Sequence, residues 1–237
     1  MNPFSLKNKT IVVTGGLGLL GQIFVSEASK LGAHVVVADI AGDNPVDTTS
    51  PDAIKQFVDG LDCIDGWVNN AYPRTKDWGT VFEKISPESW RANVDMHLNG
   101  YVFCMQAVLE KMKKQKSGSL VNIASIYGMV GPQFGIYDGT PMTMPAAYAA
   151  IKAGILNMTR YLASYYGKSG VRVNAVSPGG IFDNQNPAFV EKYNHVVPMG
   201  RMGKPDEIAG GVMYLLSDAS AYVTGQNLAI DGGWTAI

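Results

Sequence analysis

The chain has 237 residues, 46% hydrophobic and 16% charged, with a formal net charge of -1. That length can bury a sizeable core as one domain, and the balanced charge leaves no polycationic surface for phosphates, so nucleic acid is excluded as an expected partner. Its two cysteines, Cys63 and Cys104, lie far apart and in no metal-ligand spacing, so no disulfide framework or metal is expected and a cytoplasmic protein with reduced thiols is read.

The opening stretch 1–10 lacks the apolar core of a secretory signal, and glycines interrupt the run from Ile11 to Val25, so no membrane anchor is expected. Thr10 to Val13 is an apolar, β-branched run that ends at glycines, and Gly21 to Leu31 then has helical character up to Gly32. Strand, glycine turn and helix are the implied order. Gly16-Leu17-Gly18-Leu19-Leu20-Gly21 has the Gly-x-Gly-x-x-Gly spacing at that turn, where bare backbone can approach a pyrophosphate and helix amides can hold it. A second strand, His34 to Ala38, closes with Asp39, which lies 18 residues beyond Gly21, near the offset of a carboxylate that binds a ribose 2'-hydroxyl. Such a carboxylate repels a 2'-phosphate and no arginine or lysine lies nearby, so NAD is expected over NADP. The competing reading of Asp39 is a strand-end residue that caps a turn.

Pro51 to Val58 reads as helix, Asp65 to Val68 as strand, and Asn69-Asn70-Ala71 follows it. Pro87 to Lys114 is helical, Ser119 to Ile123 a strand, and Tyr127 to Pro145 a stretch rich in turn formers and aromatics. Lying between Ser125 and Tyr148, that stretch is a candidate substrate loop. Ala146 to Tyr166 (helix), Val171 to Val176 (strand), Pro205 to Leu216 (helix) and Leu228 to Ile230 (strand) complete the pattern. The alternation predicts an α/β protein with a doubly wound, Rossmann-like parallel sheet, in a single NAD-binding catalytic domain spanning 1–237.

Tyr148 and Lys152 are four residues apart on the predicted helix, which sets a phenol beside an ammonium. A nearby cation favours the phenolate and pulls the tyrosine pKa down toward a useful value. Ser125, at the end of an apolar run, is placed to polarise the oxygen that the tyrosine protonates.

Thr14-Gly15-x-x-Gly18-x-x-Gly21, Asn69-Asn70-Ala71, Ser125, Tyr148-x-x-x-Lys152, Asn174 and Pro178-Gly179 occur in that order, and with them the chain resembles the short-chain dehydrogenase/reductase family over nearly its whole length. The tail from Arg201 to Ala209, with Thr224-Gly225-Gln226 and Asp231-Gly232-Gly233, is similar to the single-domain branch. The resemblance implies hydride transfer between a nicotinamide and an alcohol or carbonyl carbon, with Tyr148 exchanging the oxygen proton, Lys152 lowering its pKa and binding the nicotinamide ribose, and Ser125 bonding the substrate oxygen. It implies cofactor contacts from Gly15, Leu17, Gly18, Leu20, Gly21, Asp39, Asp47, Thr48, Asn70, Ala71, Pro178, Gly179 and Ile181. It further implies a homotetramer or homodimer packed through the Ala146 to Tyr166 and Pro87 to Lys114 helices.

The chain departs from the family pattern at several positions. Where the family usually has an asparagine that completes a proton relay, this chain has His97, read either as a buried histidine bonded to a backbone carbonyl or as the relay group itself. Tyr72-Pro73-Arg74 follows Asn69-Asn70-Ala71 where the family often has glycine, and Arg74 and Lys76 are either ligands for an anionic substrate group or solvated loop cations. At Asp183 the family usually has a threonine, and Asn184 is the candidate replacement. Only 30 residues separate Asp39 from Asn69, so the helix after the second strand is expected to be missing, with Asp39 to Asp47 crossing as a short loop. Ser125 and Tyr148 are 23 apart, longer than usual, and the extra segment from Phe134 to Thr143 is expected to cover the pocket. Tyr127, Gln133, Tyr137, Asp138, Arg74 and Asn184 suit a polar small molecule, with a sugar or sugar nucleotide preferred. The alternatives are an epimerase or dehydratase that keeps its NAD bound, and a non-catalytic NAD-sensing binding protein.

Overall fold

In the computed structural model, which describes residues 2–42 and 45–237, six parallel strands form one sheet. They are β1 (Thr10–Thr14), β2 (His34–Ala38), β3 (Gly66–Asn69), β4 (Gly118–Ile123), β5 (Val171–Pro178) and β6 (Asn227–Ile230), in the spatial order β2-β1-β3-β4-β5-β6. The central strands β1, β3 and β4 are buried almost throughout, which matches their unbroken apolar runs. Helices α1 (Leu19–Lys30) and α7 (Pro205–Leu216) cover one face, with Phe24, Val212 and Leu216 in the core beneath them. On the other face α2 (Pro51–Asp59), α4 (Gly100–Gln115) and α5 (Ala146–Tyr166) pack around Trp67, Met105 and Leu120.

From β1 the chain winds outward to β2, then returns across β1 to β3 and on to β6. Ligand crevices of open α/β sheets lie at such a reversal, outside the carboxyl ends of the strands. Here the reversal falls between β1 and β3, where Thr14 and Asn70 tie the two strand ends together. The Thr14 Oγ1 accepts from the Asn70 and Ala71 amides at 2.9 and 3.1 Å, and the Asn70 Nδ2 donates to the Thr14 and Gly15 carbonyls at 3.0 Å each.

A buried polar chain fixes α5 to the sheet. Trp67 Nε1 donates to Asn69 Oδ1, Asn69 Nδ2 to Asn122 Oδ1, and Asn122 Nδ2 to Thr159 Oγ1, at 2.6, 2.9 and 3.0 Å. Because each group is satisfied inside an apolar layer, the chain specifies one register for the helix that carries Tyr148 and Lys152.

Three expectations change in detail. After β2 no helix occurs among the described residues until α2, so the stretch from Asp39 crosses as loop, with Asp43 and Asn44 outside the described residues; a helix does nonetheless follow the second strand, because Ser50 caps α2 by accepting from the Ala53 amide and Pro51 starts it. The predicted Pro87 to Lys114 helix is α3 (Pro87–Asn93), a π-helical turn (Val94–Asn99) and α4, so the run is helical throughout but widened around His97. Helix α6 (Pro187–Val196) went unread, although Asn186 before Pro187 is a start signal and its Oδ1 accepts from the Ala188 amide.

Candidate active site

The glycine turn is shaped by contact. Gly15 has φ +61°, a left-handed conformation, and a Cβ there would lie 2.8 Å from the Ala71 Cα; a Cβ on Gly21 would lie 2.1 Å from the Gly15 carbonyl oxygen. Both contacts are with backbone, which cannot swing away. They bring the start of α1 against the end of β1, and no side chain caps that helix at Gly18. Among the described residues no side chain meets the amides of the first turn, whose Leu19 and Leu20 line the crevice, a donor set suited to a pyrophosphate.

The crevice is a cavity of about 910 Å³. Every expected cofactor residue except Gly21 lines it: Gly15, Leu17, Gly18, Leu20, Asp39, Asp47, Thr48, Asn70, Ala71, Pro178, Gly179 and Ile181. Gly21 acts from behind, by letting α1 approach. Asp39 also fulfils its competing reading, since its carboxylate accepts from the Leu17 and Ala41 amides at 2.9 and 3.0 Å while it lines the cavity. The Asp47 carboxylate accepts from both the Thr49 amide and the Thr49 hydroxyl.

Ser125, Tyr148 and Lys152 line the same cavity. Ser125 leaves the end of β4 in extended conformation, and its Oγ accepts from the Tyr127 amide at 3.2 Å, which leaves the hydroxyl hydrogen free to donate. The following turn packs on α5 so closely that a Cβ on Gly128 would lie 2.7 Å from the Lys152 carbonyl carbon. Serine and α5 are thereby held together. Lys152 is only 3% exposed; its ammonium donates to the Ile123 carbonyl at 2.7 Å and lies 5.5 Å from the centre of the Tyr148 ring.

The electrostatics differ from the expectation that Lys152 pulls the phenol down. Burial pushes Tyr148 above its ordinary pKa, against a lowering from the Ser125 hydroxyl, and Tyr137 raises it further. Burial also pushes Lys152 down to about 7. Its ammonium is aimed at a carbonyl, and the loss of water outweighs attraction to a phenolate. Lysine and tyrosine are thus both poised toward their neutral forms.

His97 is fully buried, and neither ring nitrogen has a hydrogen-bond partner among the described residues. The reading of a histidine bonded to a carbonyl is therefore not met. The ring lies between Tyr72 and Tyr101 at 5.2 and 5.4 Å, and burial, then Lys152, hold its pKa well below the ordinary value. Tyr101 donates to the same Ile123 carbonyl as Lys152, at 3.3 Å.

Of the substrate candidates, Arg74, Tyr127 and Tyr137 line the cavity; Lys76, Gln133, Asp138 and Asn184 do not. Asn184 instead occupies the left-handed region, at φ +55°, and Gln185 takes the place expected for it, accepting from the Asp183 amide and donating to the Ile181 carbonyl. The segment from Phe134 forms a fixed wall. Ile136 is buried with Phe189, Tyr193 and Trp234, the Tyr137 ring lies 5.2 Å from Phe189, and the Lys192 ammonium donates to the Asp138 carbonyl at 2.6 Å. Phe189 and Tyr193 are lining residues that sequence reasoning missed, and recognition of α6 would have exposed them.

The family profile described as enoyl-(acyl carrier protein) reductase matches residues 21–235. The chain belongs to the short-chain dehydrogenase/reductase family. Post-translational flagellin modification protein A of Campylobacter coli is 33% identical, over 97% of this chain and 99% of its own length. A short-chain dehydrogenase from Leptospira borgpetersenii with bound NAD+ is 35% identical and superposes with a TM-score of 0.89 over 97% of this chain and 93% of that one. A putative 2-deoxy-D-gluconate 3-dehydrogenase from Agrobacterium tumefaciens with bound NADP is 29% identical, with a TM-score of 0.88 over 100% of both chains. The chain is accordingly an oxidoreductase that works with a pyridine nucleotide. The sensor reading is set aside, and these dehydrogenase and reductase relatives give the epimerase reading no support. No described helix is long and apolar enough to cross a membrane, and no described cluster of side chains is suited to a metal ion.

The depressed Lys152 pKa has a measurable sign. The unfolded lysine holds its proton up to about 10.5 and the folded one releases it near 7, so between these values the unfolded chain binds more protons and stability rises with pH. In the cofactor-free protein, Lys152→Met should be the more stable form at pH 6, by on the order of 1 kcal/mol or more, and the wild type should recover on it between pH 7 and pH 10. Urea midpoints of both proteins across that range measure the difference. A difference that stays flat with pH would show that Lys152 keeps its charge.

Proposed function

We propose that the protein is an NAD-dependent dehydrogenase or ketoreductase for a polar small molecule, with Ser125, Tyr148, Lys152 and His97 as its catalytic group. The carrying observation is that Ser125, Tyr148 and Lys152 open on one cavity with the uncapped α1 terminus and Asp39. A bound pyridine nucleotide would supply the hydride acceptor for an alcohol carbon, or the hydride donor for a carbonyl carbon. Tyr148 takes the hydroxyl proton in oxidation and gives one to the oxygen in reduction. Ser125, with its hydrogen free, donates to the substrate oxygen and stabilises the negative charge that gathers there. Lys152 lines the cavity, and ribose hydroxyl oxygens beside it would restore the solvation that burial removes and return its charge. That restored charge is what lowers the phenol.

Behind Lys152 lies His97, with both nitrogens free to accept or donate. In this reading it relays the proton to and from the buried lysine, whose charge it feels. Asp39 favours NAD by repelling a 2'-phosphate. Gly15, Leu17, Gly18, Leu20 and Gly21 hold the pyrophosphate, Asp47 and Thr48 the adenine end, and Asn70, Ala71, Pro178, Gly179 and Ile181 the nicotinamide end.

A sugar or sugar nucleotide is the preferred substrate class, supported by the phenols of Tyr127 and Tyr137 in the cavity and by the gluconate-type name of one structural relative. A cytoplasmic location and a homodimer or homotetramer packed through α5 and the helical run from Pro87 to Lys114 belong to the same reading. In its support, the rings of Tyr161 and Tyr165 stack 6.3 Å apart on α5 while both remain more than half exposed.

Tyr148→Phe should lower kcat/KM at least about 100-fold with NADH affinity retained, and His97→Leu should lower kcat about tenfold with little change in KM. Steady-state kinetics on a panel of sugar alcohols, with NADH fluorescence titration, measures both. Turnover undiminished in Tyr148→Phe overturns the assignment. Asp39→Ala should shift the ratio of NADP to NAD efficiency upward by about tenfold, and an unchanged ratio would remove Asp39 as the selector.

A further inference from the structure

The loop after β3 carries a built feature that the hydride chemistry leaves unused. Tyr72 stands where its edge and face meet three rings: Tyr148 at 5.7 Å, His97 at 5.2 Å and Trp78 at 5.9 Å, all near perpendicular. Trp78 Nε1 donates to the Tyr72 hydroxyl at 2.8 Å. Three residues on, the Thr75 amide donates to Asn93 Oδ1 and its hydroxyl accepts from Asn93 Nδ2, at 3.0 and 2.8 Å, and Asn93 is itself buried in α3. Both ends of Tyr72-Pro73-Arg74-Thr75 are therefore pinned.

On that fixed ring rests the Arg74 guanidinium, 4.9 Å from the centroid of Tyr72. Among the ion pairs of the described residues none includes Arg74, and it lines the cavity. The other cation there, Lys152, is buried against a carbonyl. The cavity's carboxylates are Asp39 and Asp47, engaged with backbone amides at the β2 end, and Asp183, beside Gln185. A ligand seated on Tyr148 thus meets a preoriented cation on the β3 side and a carboxylate with an amide on the side of β5 and α6.

We propose that Arg74, held on Tyr72, is a subsite for an anionic substituent, carboxylate or phosphate, on a hydroxylated sugar-like substrate whose reacting carbon lies at Tyr148. The inference rests on the catalytic reading above and narrows its substrate class from polar to anionic. A guanidinium binds either anion through two parallel N–H donors, and prior fixation by an aromatic face reduces the ordering cost of that contact. Asp183 repels the same group, so the anion points toward Arg74 and the hydroxyls toward Gln185 and the phenols of Tyr127 and Tyr137. Because Arg74 is exposed, water and salt screen the attraction, and a preference of about tenfold is expected rather than an absolute requirement.

Calorimetric titration of the NADH-saturated protein with D-glucuronate, D-glucose 6-phosphate and D-glucose tests this. At low salt at least one of the acids should bind about tenfold more tightly than glucose, the preferred acid distinguishing carboxylate from phosphate, and the gap should narrow in high salt. Arg74→Gln should erase the gap with unchanged NADH affinity, and Arg74→Lys should keep part of it. Glucose bound as tightly as both acids, failure of both acids to bind, or a preference that survives Arg74→Gln overturns the subsite. Binding requires no turnover, so those results condemn the subsite alone, whereas turnover that survives Tyr148→Phe condemns the catalytic reading.

Discussion

The Ile123 carbonyl, at the end of β4, is the point on which the site depends. It accepts the Lys152 ammonium at 2.7 Å and the Tyr101 hydroxyl at 3.3 Å, so one backbone oxygen anchors α5 and α4 to the same strand end. A lysine can be this deeply buried only when its donors are met or its proton is lost, and here one bond meets it in part while the pKa falls to about 7. Under the proposed function, hydroxyl oxygens of a ligand complete that ammonium and couple occupancy of the cleft to the charge on Lys152, and through it to the acidity of Tyr148.

The glycine turn enforces the same economy at the other end of the cleft. Thr14 and Asn70 bind the ends of β1 and β3 into one unit, and only the missing side chains of Gly15 and Gly21 allow α1 to start against it. That approach exposes amides that no described side chain caps. The α1 terminus and Lys152 thus both present donors to the same cavity.

Much of this was readable from the chain, for identifiable reasons. Strands β1, β3 and β4 are buried on both faces, so their apolar runs are continuous, and Gly-x-Gly-x-x-Gly or Tyr-x-x-x-Lys spacing is local geometry that a sequence displays directly. The family followed from the order of such motifs. What could not be read depends on contacts between distant segments. No spacing shows that the His97 nitrogens lack partners, because that follows from Tyr72, Tyr101 and the widened helical turn closing around the ring. Nor does the i,i+4 pair show that burial outweighs attraction between Lys152 and Tyr148; that burial comes from segments remote in sequence, among them the end of β4 that the ammonium meets. Gln185, Phe189 and Tyr193 escaped because α6 is short and its start signal, Asn186 with Pro187, lies in a stretch for which no element was predicted.

Tyr72 links these observations. A glycine at that position would leave room beside the catalytic phenol and open His97 toward the cleft. With tyrosine there, a ring fills that room, touches Tyr148 and His97 together, and supports Arg74 from below. The ring that packs on His97 is the same ring that carries the Arg74 guanidinium. Cover for the imidazole and support for the cation therefore follow from a single side chain, and the two departures at residues 72 and 97 are parts of one packing solution.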